Sequence, residues 1–300
     1  MARWIGELRN EAPTVELRER EMLKQHTSFR IGGEAEAMLF PKTTEELAAC
    51  LKVTGRHGVP VRILGGGTNI LAPDGGVDGA VICLKDALTG IRRIDDTGVE
   101  AYAGETLARV AVFARDEALS GLAFAHGIPG TVGGGIYMNA GAYGGEMAQA
   151  VESVTVMEPD GTLRERRCSR ECFGYRRSVF QQEGIIVRAV FRLATGSREE
   201  IADEMHRLRE KRAASQPLEL PSAGSAFKRP QSGYAAALID EAGLKGYRVG
   251  DAAISEKHAG FAVNLGNATA AEVVRLLDDV RRIVLDRSGI ELEPEIRIWE

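Results

Sequence analysis

The sequence predicts an α+β protein, because short apolar strands alternate with capped amphipathic helices along the chain. Strands such as residues 59–64 and 185–193 are apolar and are bounded by turn residues. Capping boxes, in which Thr43 precedes Glu46 and Thr269 precedes Glu272, indicate where two of the helices begin. The 300 residues are 44% hydrophobic, which is enough for a substantial core and for more than one domain.

Taken in order, the elements predict four segments. Residues 1–20 are expected to form a helix, with Trp4, Ile5 and Leu8 as apolar positions. Residues 21–86 contain strand, helix, strand, glycine loop and strand, which predicts one compact α+β subdomain. Residues 87–195 contain two hairpin patterns, a helix over 106–119 and the strand over 185–193, and form a second subdomain.

The last segment, residues 196–300, begins after the polar turn Ala194-Thr-Gly-Ser197. It contains a helix opened by Ser197, a second helix near 232–242 and a long helix after Thr269. A strand over 290–298 is expected to close the chain.

Composition excludes several classes of protein. The net charge is −5, and lysines and arginines form no run longer than a pair, so a dedicated nucleic-acid or membrane-surface protein is not expected. The sequence has no apolar run long enough for a membrane span, and its charged first residues lead us to expect no secretory leader. Its four cysteines lack metal-ligand spacing, so we expect a reduced, cytoplasmic protein without a metal site.

Eleven of the 35 glycines lie in two short runs, three of them over 64–71 and eight over 127–145. Glycine offers backbone N–H groups that a ligand can approach closely, so the pair of runs favours one large ligand with phosphates. Two tight surface loops are the plain alternative. Neither run reads G-x-G-x-x-G and no Gly-Lys pair is present, which argues against a Rossmann fingerprint or a Walker A loop. The remaining common ligand of this size is a flavin dinucleotide, bound by a fold other than the Rossmann fold.

Several motifs, in this order along the chain, then identify a family. The chain resembles the UDP-N-acetylenolpyruvoylglucosamine reductase (MurB) family of peptidoglycan-precursor enzymes, over residues 20–300, through His26-Thr-Ser-Phe-Arg-Ile-Gly-Gly33, Gly-Gly-Thr-Asn69, Gly127-Ile-Pro-Gly-Thr-Val-Gly-Gly134, Met138-Asn-Ala-Gly-Ala-Tyr-Gly144, Tyr175-Arg-x-Ser178, Ala223-Gly-Ser-x-Phe-Lys228 and Leu292-Glu-Pro-Glu-x-Arg297. The resemblance implies a two-subdomain FAD-binding fold of the vanillyl-alcohol oxidase (PCMH) type over 21–86 and 87–195. It implies a C-terminal α/β substrate-binding domain over 196–300.

The resemblance also implies bound FAD, NADPH as co-substrate and a cytoplasmic enzyme of cell-wall synthesis. The residues expected at the cofactor are Arg30, Gly65, Gly66, Gly67, Thr68, Asn69, Gly130, Thr131, Gly133, Gly134, Asn139 and Gly141. Most of them would act through the backbone. For Arg30, a surface ion pair is an equally plain interpretation.

The family's catalytic residues correspond to Arg176, Ser225 and Glu295. The resemblance implies that NADPH reduces FAD and that the flavin returns the hydride to the enolpyruvyl group of a UDP-sugar. Arg176 would bind the substrate carboxylate, Ser225 would donate a proton and Glu295 would polarise the developing enol. Without the resemblance, Arg177 could be the cation, Ser225 a turn or helix-cap residue, and Glu295 a solvated charge.

Tyr175, Lys228, Arg229 and Lys257 are expected to contact the substrate. Arg229 stands where one branch of the family has asparagine, and only a short segment separates Ser178 from the strand at 185. A tyrosine-bearing insertion of that branch is therefore missing, and the chain resembles the shorter branch. We expect a monomer.

Two rival functions follow from the same residues. Another oxidoreductase on the same flavin fold, acting on an alcohol or hydroxy acid, would bind FAD but would not respond to an enolpyruvyl UDP-sugar. A binding protein without chemistry would lack one of the three catalytic residues, and all three are present.

Overall fold

The computed structural model describes residues 2–300. Its α-helices are α1 Arg3–Glu11, α2 Thr44–Arg56, α3 Leu107–Asp116, α4 Val132–Tyr137, α5 Arg198–Ser215, α6 Ala235–Glu241 and α7 Ala270–Ser288.

The strands are β1 Glu16–Met22, β2 Glu34–Phe40, β3 Val61–Leu64, β4 Ile70–Leu71, β5 Val77–Cys83, β6 Ile91–Arg93, β7 Gly98–Tyr102, β8 Leu119–Ser120, β9 Gly141–Ala142, β10 Gly145–Glu146, β11 Val151–Met157, β12 Leu163–Arg167, β13 Phe173–Gly174, β14 Arg177–Ser178, β15 Ile185–Arg192, β16 Ala194–Thr195, β17 Ser222–Ser225, β18 Arg248–Val249, β19 Ala252–Ile254, β20 Phe261–Asn264 and β21 Arg297–Ile298.

The chain divides into two compact units. The first contains residues up to Arg20, Glu36–Gly66 and Asp78–Glu210, and the second contains Glu21–Ala35, Gly67–Val77 and Lys211–Glu300. Both segments proposed as cofactor subdomains thus contribute to the first unit. The finer four-part division stays a prediction.

The first unit is built on two sheets. One has the strand order β1-β2-β5-β3, with β3 and β5 parallel, and the other has the order β12-β11-β15-β7-β6 with antiparallel pairs. Its core is formed by inward-facing aliphatic residues such as Leu39, Ile82, Val154 and Val187. Strand β15 matches the predicted strand over 185–193, because its inward positions are buried and apolar.

The second unit contains an antiparallel sheet of order β17-β20-β19-β18 and a short parallel pair of β21 with β4. Helix α7 packs its buried face, which includes Val273, Leu276, Val280 and Val284, into this unit's own core. Thr269 and Glu272 form the predicted capping box at its first turn.

Two predicted elements are wrong in extent. The N-terminal helix predicted over 1–20 ends at Glu11, and Glu16–Met22 is a strand; position 1 lies outside the described residues. Pro13 disfavours helical geometry at Ala12, and the chain leaves the helix there. The terminal strand predicted over 290–298 is reduced to Arg297–Ile298. Within residues 2–300, none of the helices combines the length and the apolar character needed to cross a membrane.

Candidate active site

In the first unit, Gly65 and Gly66 follow strand β3, and Gly65 lies against the second glycine run. A Cβ placed on Gly65 would lie 2.6 Å from Thr131 Oγ1 and 3.9 Å from Gly134 N. The two runs are therefore neighbours, as the sequence predicted. In the part of the chain that the structure describes, the amides of Gly65 and Gly66 donate no hydrogen bond to the protein.

The second run turns at Gly130 and enters helix α4. Gly130 has a φ of 132°, which other residues rarely adopt, and Thr131 Oγ1 accepts a hydrogen bond from Gly134 N. Gly133 donates its N–H to Ala103 O at 2.9 Å, and a Cβ on Gly133 would lie 3.0 Å from Ala103 Cβ. Packing therefore explains Gly133 without a ligand, and the N–H of Gly134 is already used by the helix cap.

Asn139 is 2% exposed and lies just beyond α4 with a φ of 43°. Its Nδ2 group donates to Glu146 Oε2 at 3.1 Å and to Gly174 O at 3.0 Å, and its Oδ1 accepts from Ala148 N. Both N–H groups of the amide are thus committed to the protein, and the predicted cofactor contact gains no support from this side chain. Gly141 is required by the adjacent hairpin, since a Cβ there would lie 2.6 Å from Gly145 O.

Arg176 lies at the tip of a hairpin formed by β13 and β14. Its backbone is left-handed, with a φ of 55°, and its guanidinium carbon lies 5.2 Å from the centre of the Tyr175 ring. The Tyr175 side chain is among the exposed large hydrophobic groups. A half-buried cation beside an exposed aromatic ring can bind an anionic, partly apolar group.

In the second unit, the loop after Gly67 lies beside strand β17. Gly67 is left-handed, and a Cβ on it would lie 2.0 Å from His26 O. Ser28 Oγ donates to Ser222 O at 2.6 Å, and Ser28 N donates to Gly67 O. A Cβ on Gly224 would lie 3.9 Å from Thr68 O, which places the predicted cofactor loop next to Gly224.

Ser225 and Glu295 lie on neighbouring segments of this unit. Ser225 ends β17 and pairs with Phe261, while Glu295 N donates to Ala226 O at 2.9 Å. Asn69 Nδ2 donates to Glu295 O at 3.2 Å. Both Ser225 and Glu295 are half-buried. The unit therefore places the chain segments that carry Ser225, Glu295 and Asn69 side by side, although they are far apart in sequence.

The cations predicted at the substrate already contact protein groups. Lys228 forms an ion pair with Glu293, Arg229 lies 4.3 Å from the centre of the Tyr234 ring, and Lys257 Nζ donates to Ala213 O at 2.8 Å. Glu293 is exposed, and an exposed pair contributes little to stability, so Lys228 can exchange this partner for a phosphate at low cost.

Arg30 is exposed and left-handed, with a φ of 56°. Among residues 2–300, no cluster of three or more histidine, cysteine, aspartate or glutamate side chains has the arrangement of a metal site.

Comparisons with known proteins bear on the same two regions. Residues 35–166 match the model of an FAD binding domain, and residues 216–299 match that of the C-terminal domain of UDP-N-acetylenolpyruvoylglucosamine reductase. The chain is 42% identical over 298 residues to the UDP-N-acetylenolpyruvoylglucosamine reductase of Lachnoclostridium phytofermentans, covering 98% of this chain and 96% of that protein. It is 43% identical over 295 residues to the enzyme of the same name from Streptococcus thermophilus, covering 98% and 96%.

The chain belongs to the UDP-N-acetylenolpyruvoylglucosamine reductase family.

Solved structures agree with this membership. The crystal structure of the Thermus caldophilus member of the family superimposes with a TM-score of 0.80 at 38% identity, covering 95% of this chain and 99% of that one. A BBE-like protein of Physcomitrella patens, at 14% identity and a TM-score of 0.52, shares the fold alone; it covers 98% of this chain and 61% of that one. The α+β FAD-binding fold followed by the family's C-terminal domain is thereby confirmed.

Sequence reasoning did not identify Gln181, and it did not identify the Asn139 side chain as a hydrogen-bond donor to Gly174 O. Gln181 Nε2 donates to Tyr137 O at 3.0 Å and to Arg176 O at 3.4 Å. Its position three residues after the Tyr175-Arg-x-Ser178 motif was the one available signal, and Gln182 beside it is chemically identical.

Proposed function

We propose that this protein reduces UDP-N-acetylglucosamine enolpyruvate to UDP-N-acetylmuramate, with NADPH as reductant and FAD as bound cofactor, in peptidoglycan precursor synthesis. The proposal is supported by membership of the reductase family over almost the whole chain. The observation that carries it is the juxtaposition of Ser225, Glu295 and Asn69 in the second unit.

Among the residues expected at the cofactor, those with backbone N–H groups that the described protein does not use fit FAD. The amides of Gly65 and Gly66, which the described protein does not use, would hold the pyrophosphate, and the loop through Gly130 would pass beside them. When bound, FAD supplies a carrier that accepts a hydride from NADPH and delivers it to the terminal carbon of the enolpyruvyl double bond.

Three side chains would complete the reaction. Arg176 would bind the substrate carboxylate, because its planar guanidinium donates two parallel hydrogen bonds to such a group. The Ser225 hydroxyl would donate a proton to the carbon that bears the ether oxygen and would regain one from solvent. Glu295, in its protonated form, would donate a hydrogen bond to the enolate oxygens that carry the charge before this proton arrives.

The substrate diphosphate would be bound by cations of the second unit. Lys228 and Arg229 follow Ser225 in the chain, and Lys257 donates a hydrogen bond to Ala213 O. Tyr175, beside Arg176, would pack against the substrate.

We propose a cytoplasmic location, which four unpaired cysteines support. Burial raises the pKa of Cys50 and of Cys168 to about 12, so these thiols are poor nucleophiles. The monomeric state stays a prediction.

The test separates the two half-reactions under anaerobic conditions. NADPH should bleach the flavin absorbance of the purified protein, and the enolpyruvyl UDP-sugar should restore it. Ser225→Ala should leave bleaching unchanged and slow the recovery by about a hundredfold or more, since general acid catalysis contributes on this scale. Ser222→Ala, on the same strand, is the matched control.

Failure of the substrate to restore the wild-type flavin would reject the function. Bleaching of the oxidised flavin by an alcohol or hydroxy acid, in the absence of NADPH, would favour the rival oxidoreductase. Equal slowing of both half-reactions by Ser225→Ala would remove Ser225 from the role of proton donor.

A further inference from the structure

The turn that carries Arg176 is strained. Arg176 has a φ of 55°, a left-handed conformation that is unfavourable for a residue with a side chain. The hairpin that presents it has only two residues in each strand, β13 and β14. So short a hairpin is not stable by itself, and the neighbouring structure must hold the turn.

Gln181 provides one attachment. Its Nε2 group donates to Tyr137 O at 3.0 Å and lies 3.4 Å from Arg176 O. Tyr137 is the last residue of α4, where the helix leaves its carbonyl without an intrahelical partner. Ser178 Oγ donates to the same carbonyl at 2.9 Å. The end of α4 therefore anchors both the strand after Arg176 and the peptide of Arg176 itself.

Asn139 provides the second attachment, on the other side of the turn. It donates to Gly174 O at 3.0 Å while its remaining polar atoms bind Glu146 and Ala148. Because Asn139 is buried and fully bonded, it is a rigid support. The turn is thus held at Gly174 and at Arg176 by side-chain amides beside the C-terminal end of α4.

We propose that Gln181 is a positioning residue for Arg176, holding its backbone so that the guanidinium stays directed at the substrate carboxylate. This rests on the proposed function, because Arg176 is assigned to the substrate there. Thr131, the residue that caps the start of helix α4, lies beside Gly65, so one rigid element supports both the expected cofactor loop and the turn of Arg176.

Gln181→Met tests the proposal, because it keeps the length of the side chain and removes the donor. Flavin reduction by NADPH should stay within about twofold of wild type. Flavin reoxidation by the enolpyruvyl UDP-sugar should slow by at least about tenfold, since small displacements of a positioned group cost this much. Gln182→Met, at the exposed neighbouring glutamine, is the matched control and should change neither half-reaction.

The decisive measurement is a double-mutant comparison. In an Arg176→Ala background, Gln181→Met should slow reoxidation by no more than about twofold further, because the group it positions has gone. An undiminished effect in that background would overturn the proposal, as would equal slowing of both half-reactions or normal reoxidation in Gln181→Met. If Gln181→Met fails to fold, Gln181→Leu, which also removes the amide donor, replaces it, with the same selective slowing expected and the same outcomes against it.

These results separate the two proposals. If wild-type flavin is not reoxidised by the substrate, the function fails. If the wild type turns over and Arg176→Ala is slow while Gln181→Met is normal, only the positioning role fails.

Discussion

At the scale of single residues, strain marks part of the expected site. Arg30, Asn139 and Arg176, all singled out from the sequence, have left-handed backbones although they are not glycine. Tyr143, in the same motif as Asn139, does too. Such conformations persist only where surrounding contacts impose them, and they concentrate at functional sites.

His126 should make the free energy of unfolding depend on pH. Burial, followed by the charges of Arg209 and Arg115, lowers its pKa below the ordinary 6.5, and among the described residues its Nδ1 has no hydrogen-bond partner. The unfolded chain therefore binds this proton more readily than the folded chain. The stability contributed by neutral His126 is complete above about pH 6.5 and is lost as the pH falls through the lowered pKa of the folded state.

We expect the free energy of unfolding in urea to fall between pH 7 and pH 5 in the wild type, and to fall less steeply in His126→Gln. His206→Gln is the control, at a surface histidine whose Nδ1 lies 3.5 Å from Glu210 Oε2. It should keep the wild-type dependence of the free energy of unfolding on pH. A His126→Gln curve parallel to the wild type would contradict the assignment.

At the scale of elements, helix α7 shows what a local pattern gives and what it omits. The capping box of Thr269 and Glu272 was readable from sequence and is present. Asp74, about two hundred residues earlier, was not: its carboxylate accepts hydrogen bonds from Ala270 N at 2.7 Å and from Ala271 N at 3.1 Å. Together these residues satisfy the first free N–H groups of the helix.

Asp74→Ala should lower the free energy of unfolding by about 1–2 kcal/mol, because it removes two charged acceptors at a helix N-terminus. Asp74→Asn, which keeps one acceptor oxygen, should cost less. Chemical denaturation of the second unit measures both, with Asp278→Ala, an exposed aspartate of the same unit, as the control. Equal losses in Asp74→Ala and Asp278→Ala would show that charge alone, and not capping, is responsible.

At the scale of the whole molecule, the cofactor should contribute to stability. A ligand that binds only the folded chain stabilises it by about 2.7 kcal/mol at a hundred times its dissociation constant. If the backbone at Gly65 and Gly66 holds the pyrophosphate, FAD should raise the melting temperature of flavin-free protein. Riboflavin, which lacks the pyrophosphate, should raise it much less.

Scanning calorimetry of the stripped protein with each flavin checks this, and adenosine diphosphate serves as the control that carries the phosphates without the ring. Equal shifts with FAD and riboflavin would mean that the two glycines do not bind phosphate.

The sequence by itself determined the fold class, the glycine runs, the long strand at 185–192 and the family, because these depend on local periodicity and on motifs that are contiguous in the chain. It could not determine the end of the N-terminal helix, or that the segment around Glu295 is mostly irregular, since short strands depend on their partners. Only the tertiary structure placed Asn69 and Ala226 against Glu295, and Asn139 and Gln181 against the turn of Arg176. These contacts join residues that are far apart in the chain or whose side chains could point in either direction. A hydrogen bond needs its two atoms within about 3 Å, and only the packing of the folded chain brings them that close.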